Sequence, residues 1–150
     1  MPKINTGSNW LESYVPYLFY KITGQHNRNL RKRLKKTGIN IARWRVLSVL
    51  QDHGRMNISE IVERTIIEQP TVSRIVDQLE REGLAVRETS DHDSRFVEVM
   101  LSSAGEAAFE EIYPSALKHQ AQALQGFTDE ETELLTGFLE RIQSNISSDT

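Results

Sequence analysis

The 150-residue sequence predicts a mainly α-helical fold interrupted by one small β-hairpin. Three observations carry this. Apolar residues recur at helical spacing in six separate stretches, the period switches to alternation only at residues 84–88 and 96–101, and glycines at 38, 54, 83 and 126 close the helical stretches.

The first stretch sets Leu11, Tyr14, Leu18 and Ile22 on one face, with Val15 and Phe19 beside it, and Asn29 and Arg33 continue that face as polar positions. Pro16 belongs in a first turn, so the spacing predicts a helix from about Val15 to Lys36 with an arm before it. Its end carries RNLRKRLKK, Arg28 to Lys36, where cations favour the helix dipole. Most of these charges are expected to be plain solvent-facing side chains, with some rimming an anionic partner. A second helix follows over about Ile41 to His53. A third, about Ile58 to Thr65, starts with Asn57 and Glu60 at capping-box spacing.

The fourth helix begins near Gln69, because Pro70 is tolerable only where its missing N–H has no helical partner, and Gly83 ends it as a left-handed cap. Val72, Ile75, Val76 and Leu79 form its apolar stripe. At 100° per residue Pro70, Arg74, Asp77 and Arg81 lie opposite, and Thr71, Ser73 and Gln78 flank the stripe. Its first turns therefore present Gln69, Thr71, Ser73 and Arg74: short hydrogen-bonding groups and one guanidinium. Base edges of duplex DNA accept that set, and an ordinary solvated face is the alternative this helix alone leaves open. Third helix, turn and fourth helix read as a helix–turn–helix.

Two strand-like runs, 84–88 and 96–101, then flank the polar loop Thr89 to Arg95 and make a β-hairpin wing. Ser102 or Ser103 caps a long helix to about Gln125, with Pro114 inside it expected to force a kink. After Gly126, Thr128 and Glu131 repeat the capping-box spacing. Leu135, Phe138, Leu139, Ile142 and Ile146 line the last helix.

Composition narrows the function. Cysteine is absent, which excludes disulfides, thiolate metal sites and thiol redox sensing. No signal-like or membrane-length apolar run occurs, so a cytoplasmic protein with no membrane partner is expected. The net charge of −3 hides an asymmetry. Residues 1–100 hold 16 Lys/Arg against 12 Asp/Glu, and residues 101–150 hold two against nine. A basic front of that kind suits an anionic partner.

The segments IARWRVLSVL, NISEIVERT, PTVSRIVDQLEREGLAVR and DHDSRFVEVMLSSAG resemble, in order and spacing, the MarR family of bacterial transcription regulators, over roughly residues 15–146. Asp93-x-Arg95 followed by a strand and Leu101-Ser102-Ser103-Ala104-Gly105 matches the family's wing pattern, with Ser102 in place of its threonine. One departure is the turn before the fourth helix, Thr65-Ile66-Ile67-Glu68, where the family often has glycine.

The resemblance implies a single winged helix-turn-helix domain over 1–150. Residues 38–101 would form the DNA-binding core, and helices at 15–36 and 103–146 a dimerisation region. It implies a homodimer on a pseudo-palindromic, double-stranded DNA operator, most often a repressor released by a small effector. The apolar terminal helices fit, since a core of about 65 residues leaves their stripes to be buried elsewhere.

On this reading Gln69, Thr71, Ser73 and Arg74 enter the major groove. Arg95 enters the minor groove, oriented by Asp93 or Glu68. An aromatic or carboxylate effector would sit among Tyr14, Tyr17, His26, Trp44, Arg45 and Tyr113, although Trp44 at helical spacing is more often a core residue. No cofactor is expected.

Three rivals remain in view. An enzyme would need a nucleophile–base pair or a phosphate loop, which the sequence lacks. A metal-responsive regulator of the same fold would need ligands gathered from separate helices, yet His26, His53, His92 and His119 share no ligand spacing. A winged-helix protein–protein module would have no use for the small polar groups at 71 and 73 beside Arg74 and Arg95.

Overall fold

The computed structural model describes residues 9–90 and 95–147. By packing, the chain divides into two compact units, Met1–Ala116 and Leu117–Thr150, each described on its own.

In the first unit a short 3-10 turn, Trp10–Ser13, precedes α1 (Val15–Leu34), with Pro16 in the first turn as its missing donor requires. The helix ends two residues earlier than the sequence predicts, because Lys35–Thr37 tighten into a 3-10 turn before Gly38. The helices α2 (Ile41–His53) and α3 (Ile58–Thr65) fall where the sequence puts them. Each is capped by an asparagine: Asn40 Oδ1 accepts from the Arg43 N–H at 2.8 Å, and Asn57 and Glu60 satisfy one another's backbone N–H groups. Next comes α4 (Gln69–Arg81), whose Val72, Ile75, Val76 and Leu79 are all buried, as the stripe predicts.

The wing strands β1 (Ala85–Thr89) and β2 (Val97–Leu101) pair antiparallel, with Ala85 opposite Leu101 and Thr89 opposite Val97. Each begins one residue later than the sequence suggests. Met56, between α2 and α3, exchanges two backbone hydrogen bonds with Val99 and so ties the wing to the helices. Glu88 and Glu98 face each other across the strands, a repulsive register on its own. Arg55 binds Glu88 at 2.7 Å and the Ser90 hydroxyl donates to Glu98 at 2.8 Å, which relieves it.

The core has two parts. Val46, Leu47, Leu50, Met56, Ile61, the α4 stripe, Ala85 and Val99 fill the space between the helix–turn–helix and the wing. Leu30, Leu34 and Trp44 pack with Ile112 of α5 (Ser103–Ala123) in a second cluster.

Ser102 caps α5 and also joins it to α4. Its hydroxyl donates to the Gly83 carbonyl at 2.6 Å and accepts from the Gly105 N–H at 3.1 Å, while its own N–H donates to the Leu84 carbonyl at 3.0 Å. A Cβ on Gly105 would lie 1.9 Å from that Leu84 oxygen, so only glycine fits. The Leu-Ser-x-x-Gly pattern is thus a packed junction as well as a helix cap. Pro114 lies inside α5, which is continuous as far as Ala123 rather than Gln125.

In the second unit α6 (Asp129–Ser147) opens with the capping box expected from Thr128 and Glu131. It buries no residue fully, and Leu134, Phe138, Leu139 and Ile146 are exposed.

Candidate nucleic-acid interface

The N-terminal turns of α4 carry the four residues singled out from the sequence. Gln69 and Arg74 are exposed, as are Pro70, Asp77 and Arg81 opposite the stripe. Thr71 and Ser73 are half-buried, because they flank the stripe rather than oppose it. They leave small hydrogen-bonding groups at the surface beside the larger Arg74 and Gln69. Pro at the second position means one fewer N–H competes at this helix start.

The charges around α4 are segregated. Toward its C-terminal end it carries Asp77 and Glu80, and Glu82 caps it; each is bound by an arginine from elsewhere. Arg87 of β1 reaches Asp77 at 2.8 Å through Nη2 and Glu80 through Nη1. Arg43 of α2 grips Glu82 through both guanidinium nitrogens, with Nη1 to Oε1 at 2.9 Å. The Arg43 hydrogen bond, helped by the charges of Arg43 and Arg81, holds the Glu82 carboxyl below its ordinary range against a smaller opposing effect of burial. Arg74, by contrast, enters none of the ion pairs among the described residues. Among the described residues Arg74 at the front of α4 and the N-cap Glu68 enter no ion pair, while Asp77, Glu80 and Glu82 behind them are each bound by an arginine.

Sequence reasoning missed Arg43 and Arg87. The only local hint was that Asp77 and Glu80, three apart, share a helix face and want a cation. The wing positions Arg95 just before β2, exposed at the loop's return. Asp93 lies outside the described residues. Glu68, the other suggested partner, is the exposed N-cap of α4.

The proposed effector residues lie on α1, α2 and α5 and in the turn before α1. Trp44 is buried and stacks on Phe109 at 5.2 Å between ring centroids, and Phe109 stacks in turn on Tyr113 at 5.2 Å. Arg45 is half-buried and donates to Asn27 Oδ1 of α1 at 3.4 Å. Tyr14 packs on Trp10 and Tyr17 on Tyr20, both at the start of α1, a group separate from the Trp44 stack; His26 lies exposed farther along that helix.

In the basic run, Arg28, Arg31, Lys32, Lys35 and Lys36 are exposed, as expected of solvent-facing charge. No helix among the described residues is long and apolar enough to cross a membrane.

Comparison with known proteins agrees with this architecture. The family model described as MarR family matches residues 37–95, which span the helix–turn–helix and most of the wing. The chain is 26% identical over 137 residues to the HTH-type transcriptional repressor IacR of Pseudomonas putida, covering 91% of this chain and 82% of that one. It is 31% identical to the HTH-type transcriptional repressor MdtR of Bacillus subtilis, covering 76% and 71%. The crystal structure of a MarR family transcriptional regulator from Silicibacter pomeroyi superposes with a TM-score of 0.90 at 30% identity, over 98% of this chain and 99% of that one. With these relatives, and with a helix–turn–helix followed by a two-stranded wing, the chain belongs to the MarR family of DNA-binding transcriptional regulators, which are not enzymes.

Proposed function

We propose that two copies of this chain clamp a pseudo-palindromic operator and repress transcription from it, until a small aromatic or carboxylate effector lowers their affinity. One observation carries the reading: the front of α4 bears Gln69, Thr71, Ser73 and an ion-pair-free Arg74, while the carboxylates behind it are bound by Arg43 and Arg87. Arg74 is suited to a guanine edge and the shorter groups to neighbouring bases. Arg95 would enter the adjacent minor groove, where narrow A·T-rich DNA concentrates negative potential.

Pairing of two copies is supported by apolar surface that the single chain leaves uncovered. Tyr20 and Ile22 on α1 and Leu134, Phe138 and Leu139 on α6 are exposed, more than isolated surface residues explain. A dimer would cover them and set two reading helices about one DNA turn apart, near 10 bp. Repression is supported by the repressor names of IacR and MdtR. For the effector, the exposed Tyr113 at the end of the Trp44–Phe109–Tyr113 stack offers an aromatic surface, and Arg45 a cation for a carboxylate. A cytoplasmic protein free of cofactors suits this role.

The test is sedimentation of the purified protein at micromolar concentration, with and without a duplex selected from a random pool at low ionic strength. Two protein chains per duplex and dimers in free solution are expected. A monomer that retains no duplex would overturn the proposal.

A further inference from the structure

The turn between α3 and α4 contains a backbone conformation that its residue does not favour. Ile66 has φ 53° and ψ 43°, the left-handed region, and its N–H closes α3 on the Val62 carbonyl at 2.9 Å. For a β-branched residue this region is an outlier, since Cβ crowds the backbone carbonyl. Elsewhere among the described residues, positive φ falls to Gly38, Gly54, Gly83, Gly126 and Asn9. Glycine or asparagine at 66 would make the same turn with less strain.

Burial does not compensate. The neighbours do the packing: Thr65 is buried with its hydroxyl on the Ile61 carbonyl at 2.7 Å, and Ile67 packs against the core. The Ile66 side chain is 86% exposed, more than any other large apolar side chain described. It therefore strains the backbone and shows most of its apolar surface to water. Strain held at an exposed position points to contact with something outside the chain. Ile66 comes two residues before the Glu68 cap, and so next along the chain to the turn that carries Gln69, Thr71, Ser73 and Arg74.

We propose that Ile66 is a specificity residue that packs against the C5-methyl group of a thymine at the edge of each half-site. Thymine methyls are the apolar feature the major groove offers, and a rigid β-branched side chain suits them. The inference rests on the reading of α4 as the DNA-contacting helix, and it adds a base preference that the polar residues of α4 would not impose.

The test uses the full chain and the selected duplex. Ile66→Gly and Ile66→Asn both suit the left-handed turn, and Ile66→Val keeps the apolar branched shape. Ile66→Gly should raise Tm by about 2–4 °C through relief of strain, yet bind the duplex about fourfold more weakly per half-site, or about 15-fold for two. Ile66→Val should bind nearly as the parent does.

Deoxyuridine replacing one thymine per half-site removes only the methyl group. It should weaken the parent by a similar factor and leave Ile66→Gly unaffected. Equal affinity of Ile66→Gly and the parent overturns the inference while leaving the DNA-binding reading intact, as does a uridine penalty that persists in Ile66→Gly. A parent protein that selects no duplex overturns both.

Discussion

Arg87, in the middle of the first wing strand, donates to the Asp77 carboxylate on the reading helix at 2.8 Å, and its other terminal nitrogen engages Glu80. One guanidinium thereby ties the wing to α4 and offsets two carboxylates. Arg43 of α2 likewise binds Glu82 at the C-terminal end of α4.

Replacing Arg87 with Ala should lower stability by about 1 kcal/mol, since half-buried ion pairs open to solvent are only modestly stabilising. Operator affinity should fall about tenfold, roughly 1.4 kcal/mol, because two uncompensated carboxylates then add negative charge to the helix proposed to meet the DNA and the helix loses its brace. Urea unfolding alongside duplex titration separates the two effects. Adding Asp77→Ala should restore part of the affinity; if it restores none, charge cancellation is not what Arg87 provides.

The two arginines assigned to DNA should fail differently. Arg74→Ala should cost ~1–3 kcal/mol on the preferred duplex and blur its base preference. Arg95→Ala should weaken all duplexes alike and reduce the salt slope by about one phosphate-equivalent. Titrations at several salt concentrations would read both, and unchanged binding by both variants would remove the assignment.

Gly105→Ala should destabilise the fold by about 3 kcal/mol, because its Cβ meets a backbone oxygen already held by the Ser102 N–H. Ser102→Ala, which loses the cap and the bond to Gly83, should cost about 1 kcal/mol. Shifts in the urea midpoint measure each. A Gly105→Ala protein as stable as the parent would contradict the close approach described here.

Acid should weaken the clasp on the end of α4. The Glu82 carboxyl titrates below its ordinary 4.5 in the folded chain, chiefly because Arg43 hydrogen-bonds its charged form. A depressed folded value means the stabilisation is complete above 4.5 and is lost as pH falls through the folded pKa. Stability should decline over that acid range, and Glu82→Gln should flatten the decline. Urea midpoints collected between pH 6 and about pH 3 would show whether the two curves converge.

What the sequence determined by itself was everything that depends on near neighbours along the chain. The stripe of Val72, Ile75, Val76 and Leu79 names the buried face of α4 through the helical period alone, and Asn57–Glu60 and Thr128–Glu131 mark helix starts because each cap bridges only three residues. The polar set at the front of α4 was legible for the same reason. Tertiary structure decided the rest. Arg43 meets Glu82 across 39 residues, Trp44 meets Phe109, and Gly105 meets Leu84. Nothing in local spacing says which arginines will find carboxylates and which will stay available for DNA. Such partners are chosen only when packing brings distant segments together, and so the strained, exposed turn at Ile66 became visible only in the folded chain.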